Sequence, residues 1–106
     1  MKIFKIADMV KGWFVGDFES TAYRTSACEV CFKQHKEGEV WPVHYHKLAT
    51  EINYLIQGEM TLQNKKLVAG DIFVLNPNEI SDPVFLTDCD LIVVKIPSST
   101  KDKYEI

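Results

Sequence analysis

Between Ser26 and Ile96 the sequence consists of short apolar segments separated by turn residues. Segments such as Ile72 to Leu75 and Leu91 to Ile96 are rich in β-branched and aromatic residues, and Gly, Pro or Asn follows roughly every 8 to 12 residues. Almost no stretch repeats its apolar residues with the period of a helix. The pattern therefore predicts an all-β chain, folded as a small antiparallel barrel or sandwich.

The chain has 106 residues, which predicts a single domain able to bury its own core. Residues 1–25 are expected to form an N-terminal strand, near Lys2 to Ile6, and an aromatic loop. We expect the aromatic residues of Gly12 to Phe18 to pack at one end of the barrel, with a subunit interface or a pocket wall as alternatives. Residues 26–96 would form the barrel, and residues 97–106 a polar tail that lies on the surface or frays, with Tyr104 and Ile106 as the residues that could pin its end.

Composition excludes several classes of function. The net charge is −3 and no basic run is present, so neither nucleic acid nor an anionic membrane is an expected partner. No apolar run approaches the roughly 18 to 20 residues of a membrane span. Three cysteines, Cys28, Cys31 and Cys89, follow no apolar leader, which predicts free thiols in the cytoplasm. We interpret all three as small core or surface residues.

Two histidines and a glutamate form the strongest chemical signal. His44 and His46 are two residues apart, so in a strand both side chains lie on one face, and Glu51 follows closely enough to join them. Two imidazoles and a carboxylate are a ligand set for one divalent transition metal, and Fe, Mn, Ni, Co and Zn all fit it.

The same stretch carries a family resemblance. Gly38, His44, His46, Glu51 and Gly58 reproduce G-x5-H-x-H-x4-E-x6-G, the first motif of the cupin superfamily. The chain therefore resembles a small single-domain cupin of the conserved-barrel type. The resemblance implies a double-stranded β-helix, which is a jelly-roll-like barrel, and a homodimer.

The second cupin motif, G-x5-P-x-G-x2-H-x3-N, is matched only in part. Gly70 and Pro77 are present with one extra residue between them, Glu79 replaces the second glycine, and Leu86 replaces the asparagine. Asp82 stands where the family commonly has a fourth metal-binding histidine. Asp82 is thus a candidate oxygen ligand, a candidate base, a candidate acceptor for an imidazole N–H, or a turn residue before a proline.

Alternation along the strands predicts which other residues surround the site. If Glu51 points inward, Asn53 and Gln57 do so too, and these amides with Trp41 are candidates for lining a substrate pocket. The alternative is that the amides satisfy backbone groups and that Trp41 packs. His35 belongs to an alternating segment whose other face carries Val30 and Phe32, so we expect a solvated histidine there.

Three functions fit these residues. The first is a metal-dependent enzyme, a dioxygenase or an isomerase/lyase, acting on a small polar organic molecule. The second is a non-catalytic module that binds or senses a small ligand. The third is a metal-free cupin that uses His44 or His46 as an acid/base, as sugar isomerases, epimerases and dehydratases of this family do.

Overall fold

The computed structural model describes all residues, Met1–Ile106. Two 3-10 turns, Ile6–Asp8 and Val10–Gly12, precede eleven strands. The strands are β1 (Trp13–Gly16), β2 (Tyr23–Arg24), β3 (Glu29–His35), β4 (His44–His46), β5 (Thr50–Gln57), β6 (Glu59–Leu62), β7 (Lys65–Val68), β8 (Ile72–Leu75), β9 (Val84–Phe85), β10 (Cys89–Ile96) and β11 (Lys103–Glu105). The predicted all-β fold is confirmed, because short strands account for nearly all of the regular structure.

Three sheets make up the barrel. A six-stranded sheet has the order β2-β1-β3-β10-β5-β8, a three-stranded sheet has the order β7-β6-β9, and β11 pairs with β4. Every pairing is antiparallel except the one between β1 and β2. The two long strands β5 and β10 lie side by side in the large sheet, which places the inward side chains of β5 opposite the smaller sheets.

The apolar core lies inside the barrel, and part of it lines an internal cavity. It consists of seven buried residues: Cys31, Leu55, Met60, Phe85, Cys89, Leu91 and Val93. Trp13, Trp41 and Phe73 are partly buried and pack against this cluster. At about 25 cal/mol for each Å² of apolar surface removed from water, burial of these side chains is the main stabilising term of the barrel.

The other inward positions of the large sheet are polar. On β3 the buried residues are Glu29, Cys31 and His35, whereas Val30 and Phe32 are only partly buried. The expectation of a solvated His35 is therefore wrong, since only 8% of its surface is exposed. Apolar patterning misleads here because the inward positions of β3 include the polar residues Lys33 and His35, which line the cavity, whereas Val30 and Phe32 lie on the other face.

Both termini differ from the prediction. Lys2 to Ile6 forms no strand, and the predicted aromatic loop contains the strand β1 instead. The C-terminal tail does not fray: Asp102 is 2% exposed, and β11 pairs with β4 residue by residue, Lys103 opposite His46. Tyr104 and Ile106 do hold the end of the tail, opposite Tyr45 and Val43, but the sequence did not indicate this partner because it lies far away along the chain.

The cysteines behave as the sequence predicts. All three are free thiols, with Cys31 and Cys89 buried in the core and Cys28 partly buried. Burial raises the pKa of Cys31 to about 11, so this thiol stays protonated and is a poor nucleophile. Among the helices of the structure, none is long and apolar enough to cross a membrane.

Candidate functional site

A cavity of about 120 Å³ opens inside the barrel beside the core. This volume lies below the roughly 300–1,000 Å³ of sites for drug-sized ligands, so the cavity suits a small molecule. His44, His46 and Glu51 all line it, as do Asn53 and Trp41. The structure thus brings together five of the residues that the sequence predicted for the site.

The two histidines present the same nitrogen to the cavity. The Nδ1–H of His44 donates to the carbonyl oxygen of Pro42 at 2.8 Å, and the Nδ1–H of His46 donates to that of Asp102 at 2.7 Å. A carbonyl oxygen only accepts, so each ring carries its proton on Nδ1 and leaves an Nε2 lone pair free. Burial lowers the pKa of His44, which favours the same neutral form. The Nε2 atoms of His44 and His46 are therefore oriented to accept a hydrogen bond or to donate their lone pair.

Glu51 approaches the second of these rings. Its Oε1 lies 3.8 Å from Nε2 of His46, and its Oε2 accepts a hydrogen bond from Nδ2 of Asn53 at 3.2 Å. The rings of His44 and His46 are perpendicular, with centroids 5.2 Å apart. The structure contains no group of three or more His, Cys, Asp or Glu arranged closely enough to hold a metal ion. The donors face one cavity, but they are not gathered around one point.

Asp82 is not part of this group. Its Oδ1 accepts the backbone N–H of Gln63 at 2.8 Å, and the side chain does not line the cavity. The cavity position opposite His44 belongs to Ser81, whose backbone N–H and C=O both bond to His44. Of the roles proposed for Asp82, the turn role is the one that this geometry fits, and the metal and base roles stay predictions. Neighbouring residues of an extended chain point to opposite sides, so a shift of one residue decides whether Ser81 or Asp82 faces the cavity.

Gln57 also lies outside the cavity. It ends β5 and is exposed, in a surface depression beside Gly58 and Asp88. The predicted alternation holds for Asn53 and Leu55, which are both buried. It fails at Gln57 because the β5 and β10 pairing shifts register beside this residue.

His35 is a cavity residue that the sequence prediction missed. Its ring stacks on Phe85 with centroids 4.1 Å apart and meets Trp41 edge-on at 5.0 Å. Nδ1 lies 2.6 Å from Oε2 of Glu39, and this hydrogen bond holds the pKa of Glu39 below its ordinary value. The polar alternation of β3 was the available signal, but it was interpreted as an outer face.

Three lysines were missed as well. Lys33, Lys95 and Lys103 all line the cavity, from β3, β10 and β11. Lys95 is only 7% exposed, and its Nζ lies 3.5 Å from Oε1 of the buried Glu29. Lysine is rarely buried, so its position cannot be anticipated from composition.

No family model and no curated protein matches the sequence. Solved structures do match. A double-stranded β-helix protein from Klebsiella pneumoniae is 18% identical, with a TM-score of 0.73 over 98% of this chain and 90% of that chain. A cupin protein from Bacteroides fragilis is 19% identical, with a TM-score of 0.66 over 97% of this chain and 89% of that one. The chain has the cupin fold.

A third cupin-fold neighbour has a described activity. Pac13 from Streptomyces, a nucleoside dehydratase, is 13% identical, with a TM-score of 0.65 over 77% of this chain and 70% of that chain. Identities this low establish the shared barrel and leave the chemistry to the residues of each site. In this chain the segment that resembles the first cupin motif supplies His44, His46 and Glu51 to the cavity, whereas the segment after Gly70 supplies Ser81 and no acidic or imidazole group.

Proposed function

We propose that this cupin binds or acts on a small polar organic molecule in the barrel cavity, with a divalent transition metal held by His44, His46 and Glu51. The observation that carries the proposal is the fixed tautomer of both histidines, each with Nδ1–H on a backbone carbonyl and Nε2 toward the cavity. Metal-binding histidines are typically oriented in this way. Nε2 of His46 and Oε1 of Glu51 lie 3.8 Å apart, so these two groups would hold the ion together with His44.

The donor types, two imidazoles and a carboxylate, fit such an ion, and all three would have to move closer around one point to hold it. Bound there, a divalent metal would polarise an oxygen of the ligand. The residues of the chain would orient the ligand: Asn53 already donates to Glu51 and keeps that carboxylate turned to the cavity. Trp41 and Phe73 line the same space and would exclude water from an apolar part of the ligand.

Metal content tests the proposal directly. The protein is purified without added metal, soaked separately with Fe, Mn, Co, Ni and Zn, and analysed by plasma mass spectrometry. We expect about one equivalent of bound metal in the wild type and a large loss in His46→Gln and Glu51→Gln. His35→Gln serves as the control because it removes the third histidine and leaves the proposed ligands. Less than about a tenth of an equivalent with every metal would contradict the proposal.

A metal-free acid/base function is the second candidate. It is supported by the cupin-fold neighbour Pac13, a nucleoside dehydratase, and by His44, whose lowered pKa keeps a neutral imidazole at the cavity wall. A neutral Nε2 could accept a proton from a ligand carbon or hydroxyl. Activity that survives complete metal removal and disappears in His44→Gln would favour this candidate. A tightly bound ligand with no turnover in either form would favour a non-catalytic binding module.

We also propose a homodimer. The outer face of β5 and β8 exposes four large apolar side chains, with exposed fractions of 43% for Tyr54, 40% for Ile56, 68% for Ile72 and 48% for Val74. The register pairs Tyr54 with Ile72 and places all four on one face of the sheet. Light scattering of the wild type and of Ile72→Lys tests this, because a charge on the face would yield monomers if the face is the interface.

A further inference from the structure

The wall of the cavity carries an excess of positive charge. Three lysines line it, Lys33, Lys95 and Lys103, whereas Glu51 is the only acidic residue that does so. The chain as a whole has a net charge of −3. Although the chain has more acidic than basic residues, three of its twelve Lys and Arg residues line this one cavity. Such clustering of one sign raises the local concentration of ions of the other sign.

The rings of two tryptophans lie close to these ammonium groups. Nζ of Lys33 lies 5.5 Å from the ring centroid of Trp41 and 5.7 Å from that of Trp13. Nζ of Lys103 lies 4.8 Å from Trp41, and Nζ of Lys95 lies 5.8 Å from Trp13. The indole faces attract the three charges and hold them at the edge of the cavity.

Lys33 and Lys103 lack an acidic partner. Lys95 pairs with Glu29, but neither of the other two ammonium groups lies within 4.0 Å of any carboxylate. Lys33 instead donates to the backbone carbonyl of Lys11 at 3.2 Å. Burial lowers the pKa of Lys33, and the nearby charges of Lys11 and Lys103 lower it further, against Cys31 and Glu39, which raise it. A desolvated cation that is repelled by its neighbours is stabilised by an incoming anion.

From this arrangement we propose that the ligand of the cavity is a small organic anion whose charged group binds between Lys33 and Lys103, against Trp41. Nζ of Lys33 and Nζ of Lys103 lie 5.5 and 4.8 Å from the same ring centroid, and the charge of Lys103 acts on Lys33, so we place one carboxylate or phosphate group between them. The cavity of about 120 Å³ limits the ligand to a few carbon atoms beyond that group. The proposal deepens the proposed function by giving a ligand class for the same cavity, and it does not depend on the metal.

The two tryptophans supply a direct measurement. They are the only tryptophans in the chain and both line the cavity, so the two indole N–H signals in ¹H–¹⁵N NMR spectra report on that cavity. Chelator-treated protein is titrated with acetate, pyruvate, malonate and inorganic phosphate, and with acetamide and malonamide as neutral counterparts. We expect the Trp41 signal to shift saturably with at least one anion and with neither amide.

Variants identify the groups that bind. Lys33→Met and Lys103→Met keep most of the side chain and remove the charge, and each should weaken the anion by about tenfold or more. Lys36→Met is the matched control, since this lysine lies just beyond β3 with 85% of its side chain exposed and outside the cavity. Lys103 is exposed on β11, so its substitution tests the proposal even if the Lys33 variant does not fold.

The possible outcomes distinguish the proposed anion site from the proposed metal site. One possible result is that the protein takes up no metal but binds an anion, and that both lysine variants weaken this binding. This result would support the anion site and would contradict only the proposed metal site. Equal shifts with amides and carboxylates would overturn the anion site. So would unchanged anion affinity in both lysine variants, which would mean that the lysines only pack against the indoles. Saturation by phosphate but not by carboxylates would keep the proposal and identify the charged group.

Discussion

The backbone carbonyl of Asp102 accepts the Nδ1–H of His46 at 2.7 Å, while the side chain of the same aspartate is 2% exposed. That carboxylate accepts backbone N–H groups of Lys47, Leu48 and Ala49 at 2.8 to 3.1 Å. Asp102 therefore fixes the ring of His46. It also fixes the turn from β4 to β5, the strand that carries Glu51. The C-terminal tail is a structural part of the site.

Replacing this carboxylate should destabilise the protein. In Asp102→Asn one oxygen becomes an amide donor that faces N–H groups, so at least one buried N–H loses its acceptor. We expect a loss of about 2–4 kcal/mol in the free energy of unfolding, measured by urea titration. Asp8→Asn, at an exposed site, is the control and should change the value by less than about 0.5 kcal/mol. Equal stability of the two variants would show that the turn forms without Asp102.

The contribution of Asp102 should disappear in acid. Burial pushes the pKa of Asp102 up, but the hydrogen bonds from Ala49, Leu48 and Lys47 outweigh it and hold the pKa below its ordinary value. With the folded pKa below the unfolded one of about 3.9, the stabilisation is complete above pH 4 and is lost as pH falls through the folded pKa. The stability difference between wild type and Asp102→Asn isolates this group. A difference already lost at pH 5 would contradict the assignment.

Asp82→Ala should affect the β6–β7 hairpin and leave the cavity unchanged. The Asp82 carboxylate accepts the N–H of Gln63, the first of two consecutive residues with positive φ in the turn, Gln63 at 50° and Asn64 at 61°. We expect a loss of about 1 kcal/mol in unfolding free energy and unchanged binding of metal and anions. A loss of about tenfold or more in metal affinity would instead show that Asp82 binds the metal or supports one of its ligands.

The two glycines that bound the first cupin motif should differ in their tolerance of alanine. A Cβ at Gly58 would collide with the carbonyl of Asp88 and with Cys89, whereas a Cβ at Gly38 would meet open space. Both have positive φ, +105° and +73°. Gly38→Ala should cost about 1–2 kcal/mol from backbone strain alone, and Gly58→Ala on the order of 3–5 kcal/mol, measured by chemical unfolding. Equal costs would mean that the turn after Gly58 relaxes freely.

The local part of the site could be predicted from the sequence. His44, His46, Glu51 and Asn53 lie within ten residues, and the period of two along a strand fixes which side chains share a face. The predicted β8, Ile72–Leu75, matches the structure for a similar reason, since turn residues bound it on both sides. Prediction failed at His35, whose segment was assigned the wrong inner face, and at Gln57, where the β5 and β10 pairing shifts register.

The sequence by itself thus determined an all-β chain with two imidazoles and a carboxylate on one inner wall. Only the tertiary structure decided what surrounds them. Asp102 meets His46 across 56 residues of sequence, and Lys33, Lys95 and Lys103 converge on one cavity from three strands. Such contacts depend on how distant strands pair, and pairing depends on the packing of the whole barrel. Residue type and spacing within one strand carry no information about them.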